Sequence, residues 1–298
     1  MAVITLLDGG MGQELLARTG DTPTPLWATQ VMLDHPDVVQ EIHADYFAAG
    51  ATIATTNTYA VHHDRLIRCD KDHLFATLHL AAVSQAQAAR AAHGSGRIAG
   101  ALGPLVASYR PDTCPPADEA APKYAEIAAL LAPHVDLFLC ETMASVEQAE
   151  GALRGAASGG KPVWLSVTVK DDDGSRLRSG EPVADLAPLI AKHRPAAVLA
   201  NCSVPEAMAA ALDAIARVGL PFGAYANGFT HITPAFLADA PTVDALTARH
   251  DLTPARYAAF AMAWVAQGAT IVGGCCEVGP AHIAALATAL RAAGHQIA

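Results

Sequence analysis

Short apolar runs rich in β-branched residues alternate along this chain with longer alanine-rich stretches of helical period. Eight runs predict strands: Val3–Asp8, Ala51–Asn57, Arg97–Leu102, Val135–Glu141, Pro162–Val169, Ala196–Asn201, Pro221–Ala226 and Ala269–Gly274. The intervening spacing predicts helices near Asp37–Ala49, Asp72–Ala92, Glu119–Ala132, Val146–Ala157, Val183–His193, Glu206–Val218, Pro254–Gln267 and Ala281–Ala293. Pro182, Pro205, Pro254 and Pro280 stand near the first helical position, where the N–H has no intrahelical partner to lose. Val39, Ile42 and Tyr46 form one stripe, as a buried helical face requires. Eight strand–helix units imply a single α/β domain, residues 1–298, folded as a (β/α)8 TIM barrel. A doubly wound open sheet competes, but Asp8-Gly-Gly-Met-Gly12 lacks the GxGxxG spacing and a following ribose-binding acid. Residues 227–253 form the one long insertion, after strand seven, on the side where barrel loops shape substrate choice.

Composition narrows the partners. The net charge of −10, with no run of Lys or Arg, excludes a nucleic-acid or anionic-membrane surface, since both need clustered cations. The longest apolar stretch, Ala258 to Cys276, is broken by Gln267 and Gly268 and reads as a helix turning into a strand, not a membrane span. The N-terminus lacks the basic start and cleavage site of a signal peptide, so a cytoplasmic location is expected. Thiols stay reduced there. The six cysteines are therefore metal ligands or buried apolar residues first, and Cys140, inside an apolar run, reads as a core thiol. Nothing in the pattern specifies an oligomer.

In a barrel the functional side chains come from the carboxyl ends of strands. Asp8, Asn57, Tyr59, Glu141, Asn201, Cys202, Cys275 and Cys276 all fall there. Strands six and eight flank strand seven, so three thiols distant in sequence can converge. Zinc suits such a set, being borderline-soft and tetrahedral, and three sulfurs leave its fourth place open, the mark of a catalytic site. A thiol entering that place would lose its proton. Adjacent cysteines without a C-x-x-C partner are not a standard zinc signature, so buried thiols or a vicinal disulfide stay open on spacing alone. Gly273 and Gly274 are expected to let the backbone turn both sulfurs toward one centre.

The set Asp8-Gly-Gly-Met-Gly12, Thr55-Thr-Asn-Thr-Tyr59, Gly103-Pro104, Glu141-Thr142, Asn201-Cys202-Ser203 and Gly273-Gly-Cys-Cys276 closely resembles the homocysteine S-methyltransferase family, in order and over nearly the whole chain. The resemblance implies a zinc ion on Cys202, Cys275 and Cys276, with homocysteine and a methyl donor as small-molecule substrates. It implies that Asp8 and Glu141 hold the homocysteine amino group and that the Gly9–Gly10 backbone receives its carboxylate. Asn201 and Tyr59 join the substrate-binding set, with the Tyr59 phenol near zinc. Those roles are chemically apt, since carboxylates suit an ammonium and backbone N–H groups suit an anion. No separate general base is expected.

A methylated cation prefers aromatic faces, so Trp27 and Phe229 are candidate donor contacts beside Tyr59, each equally readable as a packing residue. His231 reads as a solvent-facing histidine of the same loop. The chain stops soon after the eighth helix, without a long C-terminal arm or an appended cobalamin or folate domain. Within the resemblance that favours S-methylmethionine or S-adenosylmethionine as donor over betaine or another methylated amine. Two other readings compete: a non-catalytic homocysteine or zinc sensor, and a lysine-dependent aldolase on Lys170, whose following Asp-Asp-Asp-Gly turn suggests a solvated loop.

Overall fold

In the computed structural model, residues 1–20, 26, 28–238 and 245–298 are described. Eight parallel strands form the barrel: β1 (Val3–Leu6), β2 (Ile53–Thr55), β3 (Arg97–Leu102), β4 (Leu137–Met143), β5 (Val163–Val167), β6 (Ala197–Asn201), β7 (Phe222–Tyr225) and β8 (Ile271–Val272). Each pairs with the next, and β8 returns to β1 through Thr5↔Ile271 and Leu6↔Val272. A parallel bridge, Leu7↔Ile53, joins β1 to β2 and closes the ring. The (β/α)8 expectation holds.

The helices are α1 (Met11–Thr19), α2 (Ala28–Asp34), α3 (Pro36–Ala49), α4 (His63–Leu66), α5 (Phe75–His93), α6 (Ala117–Leu131), α7 (Val146–Ala157), α8 (Leu186–His193), α9 (Met208–Ile215), α10 (Pro254–Ala266) and α11 (Pro280–Ala292). Pro254 and Pro280 open their helices as the sequence implied. Val39, Ile42 and Tyr46 are buried on α3. The periodicity missed α1, α2 and α4, which are short, and a C-terminal strand β9 (Gln296–Ile297) that pairs with the start of β1. Two residues carry too little pattern to be read as a strand. None of the helices is long and apolar enough to cross a membrane among the described residues.

Two apolar cores explain the runs. Leu7, Ile53, Ala99, Leu137, Leu139, Trp164, Ala197, Leu199, Tyr225 and Ile271 fill the barrel interior. A larger shell, including Ile4, Ile98, Phe138 and Val198, packs between strands and helices. Strands buried on both faces read as continuous apolar runs. Because side chains alternate along a strand, the inward face of β4 runs Leu137, Leu139, Glu141, that of β6 runs Ala197, Leu199, Asn201, and that of β8 leads from Ile271 to Cys275. The same period that fills the barrel carries polar and sulfur side chains to its upper mouth.

Candidate active site

Strand β7 sets the sulfur cluster. The Cys202 N–H donates to the Tyr225 carbonyl at 3.1 Å, and the Cys275 N–H donates to the Ala226 carbonyl at 3.0 Å. Both flanking strand ends are thus pinned to one backbone, and the three Sγ atoms lie within 4.8 Å of one another. Cys202 and Cys276 are 3.7 Å apart, sulfur to sulfur. All six cysteines are free thiols, which removes the vicinal disulfide, and Cys140 is a fully buried core residue. Hydrogen bonds from Cys275 and Cys276, aided by one from Tyr109, pull the Cys202 thiol well below its ordinary range. Cys275 and Cys276, facing that sulfur, are pushed up.

Gly273 and Gly274 act differently from the expectation. Neither adopts a positive φ. Their lack of a side chain lets the end of β8 lie against the end of β1: a Cβ on Gly273 would strike Leu7, and one on Gly274 would strike Val278. Left-handed residues around the mouth are instead Val106, Tyr109, Cys202 and Glu277 on its loops and Thr142 at the bulged end of β4. Such conformations cost about 1–3 kcal/mol each and persist where surrounding structure over-determines them.

A cavity of about 310 Å³ opens above the sulfurs and is walled by Asp8, Thr55, Tyr59, Arg65, Tyr109, Glu141, Tyr225, Phe236 and the three cysteines. Asp8 accepts the Thr55 N–H at 2.6 Å and the Thr55 hydroxyl at 2.8 Å. Burial outweighs those bonds and raises its carboxyl to about 7. Glu141 sits where the β4–β5 register shifts between Cys140 and Met143, a bulge that re-aims the strand end. It accepts the Tyr225 hydroxyl at 3.2 Å. Burial, then the facing charges of Cys202 and Asp8, raise it to about 8. Among the described residues neither acid has a cationic partner.

Other expected residues land elsewhere. The Gly10 N–H is already donated to the Val278 carbonyl at 3.0 Å, so it is not open to an anion. Met11, Gly12 and Gln13 line the cavity at the start of α1, whose first-turn N–H groups have no intrahelical acceptor. Asn201 does not face the cavity. Its Oδ1 accepts from the Thr142 N–H (2.9 Å) and the Ser166 hydroxyl (2.8 Å), and its Nδ2 donates to the Thr142 hydroxyl at 2.8 Å. It clamps β4, β5 and β6 beneath the mouth, with its amide oxygen and nitrogen both engaged. Phe229 is also a correction: it is buried with Tyr109, Cys202, Phe236 and Leu246 and packs outside the cavity wall. Phe236, from the same insertion, is the aromatic that reaches the cavity. His231 is exposed, and Trp27 lies outside the described residues.

The Tyr59 phenol lines the cavity but is bonded to Ser108 at 2.7 Å. The phenol on a cluster sulfur is Tyr109, 2.9 Å from the Cys202 Sγ. Sequence reasoning missed it because it lies in an irregular loop after β3; Tyr225, at the end of β7, was within reach of the strand-end rule. Asp171, in the turn after Lys170, is not solvated as expected: it forms a two-pronged ion pair with Arg178 at 2.8 and 3.0 Å.

Comparisons with known proteins agree with this geometry. Residues 5–290 match the family model for homocysteine S-methyltransferase. A homocysteine S-methyltransferase of Escherichia coli is 31% identical, covering 95% of this chain and 94% of that one. Homocysteine S-methyltransferase YbgG of Bacillus subtilis is 26% identical over 97% and 95% of the two chains. The solved structure of the homocysteine methyltransferase MmuM from Escherichia coli, in its metallated form, superposes with a TM-score of 0.79 at 28% identity, covering 96% of each chain. With its barrel, its strand-end cysteines and acids, and a match along nearly its full length, the chain belongs to the homocysteine S-methyltransferase family, enzymes that methylate the sulfur of homocysteine.

Proposed function

We propose that the chain transfers a methyl group from a sulfonium donor, S-methylmethionine or S-adenosylmethionine, to the sulfur of homocysteine, with one zinc ion held by Cys202, Cys275 and Cys276. One observation carries the reading: three clustered sulfurs and two buried carboxylates, without cationic partners among the described residues, open into the same cavity. The sulfurs fit the ion. Ligands about 2.3 Å from a tetrahedral centre stand about 3.8 Å apart, and Cys202 and Cys276 are already at 3.7 Å. When bound, zinc supplies the Lewis acidity that keeps a substrate thiol deprotonated at neutral pH.

The chain's own residues orient the reactants. Asp8 and Glu141 receive the homocysteine ammonium, and the free N–H groups at the start of α1 receive its carboxylate. That leaves the substrate sulfur directed to the cysteine cluster. The thiol proton departs to solvent; the sulfur lone pair then forms the new bond to the methyl carbon. The methyl–sulfonium bond breaks with its electron pair remaining on the departing sulfur, giving methionine and a neutral thioether. Holding the three atoms in line contributes several kcal/mol.

Two features support a positively charged, carboxylate-bearing donor. Tyr59, Tyr109 and Phe236 offer aromatic surface to a sulfonium. Arg65 stands 5.8 Å over the Tyr59 ring, donates one N–H to the Pro104 carbonyl at 2.9 Å, and keeps a buried Nε without an acceptor. Among the described residues it has no carboxylate partner. The test is metal analysis together with a donor panel of S-methylmethionine, S-adenosylmethionine and betaine. About one zinc per chain and methionine formation from a sulfonium are expected. Activity from betaine alone would overturn the donor, and homocysteine binding without turnover from any of the three would favour a sensor.

A further inference from the structure

Behind the cysteine cluster lies a connected set of polar side chains whose hydrogen bonds the methyl-transfer reading does not use. The Tyr109 hydroxyl is 2.9 Å from the Cys202 sulfur. The Arg178 guanidinium lies over the Tyr109 ring, its Cζ 5.1 Å from the centroid. Arg178 is itself held: two N–H groups go to Asp171 at 2.8 and 3.0 Å, and its Nε reaches the Thr168 hydroxyl at 3.3 Å. Asp171 also accepts the backbone N–H groups of Val204 and Ile232, each at 3.2 Å. One carboxylate thus ties the hairpin after β5 to the loops after β6 and β7. Arg178 and Asp171 keep only 11% and 16% of their side-chain surface exposed, so this pair is not an ordinary solvated one.

We infer that Tyr109 and Arg178 are positioning residues that tune the Cys202 thiolate as a metal ligand. This rests on the reading that the cysteines hold a metal. A metal-bound thiolate carries no proton, so across this contact the phenol is the donor and the sulfur accepts. A guanidinium over the ring draws electron density from it and makes the phenol a stronger donor. The fork to Asp171 fixes the guanidinium plane as an ammonium could not. Both Tyr109 and Cys202 have left-handed backbone, a conformation that persists where surrounding structure holds it. Outer hydrogen bonds of this kind set ligand basicity, and their removal typically lowers metal affinity about 10- to 100-fold.

The experiment uses the full chain loaded with Co2+ as a spectroscopic stand-in for zinc. Chelator competition and the sulfur-to-cobalt charge-transfer band are read in parent, Tyr109→Phe, Arg178→Lys and the double variant. For Tyr109→Phe, the proton competes harder for a sulfur without that donor, so metal affinity at neutral pH should fall by about 10- to 100-fold, and the band should move to lower energy, because the unbonded thiolate gives up charge to the metal more easily. Arg178→Lys should shift both in the same direction by less, and should add nothing once Tyr109 is Phe. A parent that takes up no metal overturns the metal reading on which this rests. A parent that binds cobalt, with an unmoved band and affinity in a folded Tyr109→Phe protein, overturns the inference alone. So does a phenolate-to-metal band, which would make Tyr109 a ligand, or an undiminished Arg178→Lys effect in the double variant.

Discussion

The two ends of β4 each carry an acid, and they are treated in opposite ways. Asp136, just before the strand, is 40% exposed, pairs with Arg90 at 3.0 Å and accepts the Ile98 N–H at 2.7 Å. Glu141, at the other end, is buried and accepts a phenol hydroxyl, with no cation beside it among the described residues. The rest of the barrel follows the same division. At the lower end Arg97 covers the Trp164 ring and β9 pairs with β1. At the upper end Asp8 and Glu141 lie buried without counter-charge among the described residues, and three sulfurs crowd one point. A closed lower end and an upper end with unmet electrostatic needs is the division of labour expected of a barrel enzyme. On the proposed function, a metal cation would meet the needs of the sulfurs and an ammonium those of the acids.

The sharpest way to break this comparison is to remove a sulfur. Cys276→Ala should cost more than the 10- to 100-fold in metal affinity typical of outer contacts, and methionine formation should vanish with the metal. Retained turnover in metal-free Cys276→Ala protein would refute the assignment. An equal truncation at the lower end, Asp136→Ala, should leave metal content unchanged.

The acids offer a second, smaller effect with a definite sign. With carboxyls raised to about 7 and 8, Asp8 and Glu141 hold protons below that range and must release them to pair with an ammonium. Methionine, which has the ammonium but no thiol proton, should therefore bind the metal-stripped protein more tightly as pH rises from 6 to 8.5. Each released proton weakens binding by up to about tenfold per unit below the pKa. Glu141→Gln should flatten part of that slope and raise the homocysteine KM by about 10- to 100-fold, the worth of one charged hydrogen bond. Calorimetry across this range decides it; a flat profile in the parent protein would remove both acids from the ammonium site.

The smallest expected effect is on the donor side. Arg65→Met keeps the length of the side chain but not its charge. The donor KM should rise by about tenfold, the lower end for a lost charge-assisted contact, with kcat and the homocysteine KM little changed. Steady-state kinetics with each substrate varied in turn separate the two; a homocysteine effect as large as the donor effect would place Arg65 on the wrong side of the reaction.

Much was legible before any coordinates. The alternation of apolar runs and helical stretches located eight strands, because strands buried on both faces must be apolar along their length. The strand-end rule then singled out Asp8, Glu141 and the three cysteines, each now found in one cavity wall. It failed at Asn201, which obeys the same rule but turns its amide into a clamp on Thr142 and Ser166. It failed at Phe229 too, where an aromatic suited to a cation is packed out of reach. Position on a strand tells which end a residue occupies, not which neighbour its polar atoms find.

The sequence by itself determined the barrel, through a periodicity that each strand and helix carries locally, and the chemical types gathered at its upper mouth. Only the tertiary structure decided that the phenol on Cys202 belongs to Tyr109 and that Asp171 is an internal anchor. It alone showed that Gly273 and Gly274 serve close approach, not an unusual turn. The physical reason is common to all three. Periodicity is a property of neighbours along the chain, whereas a hydrogen bond or a steric gap between loops after different strands depends on packing that no local window contains.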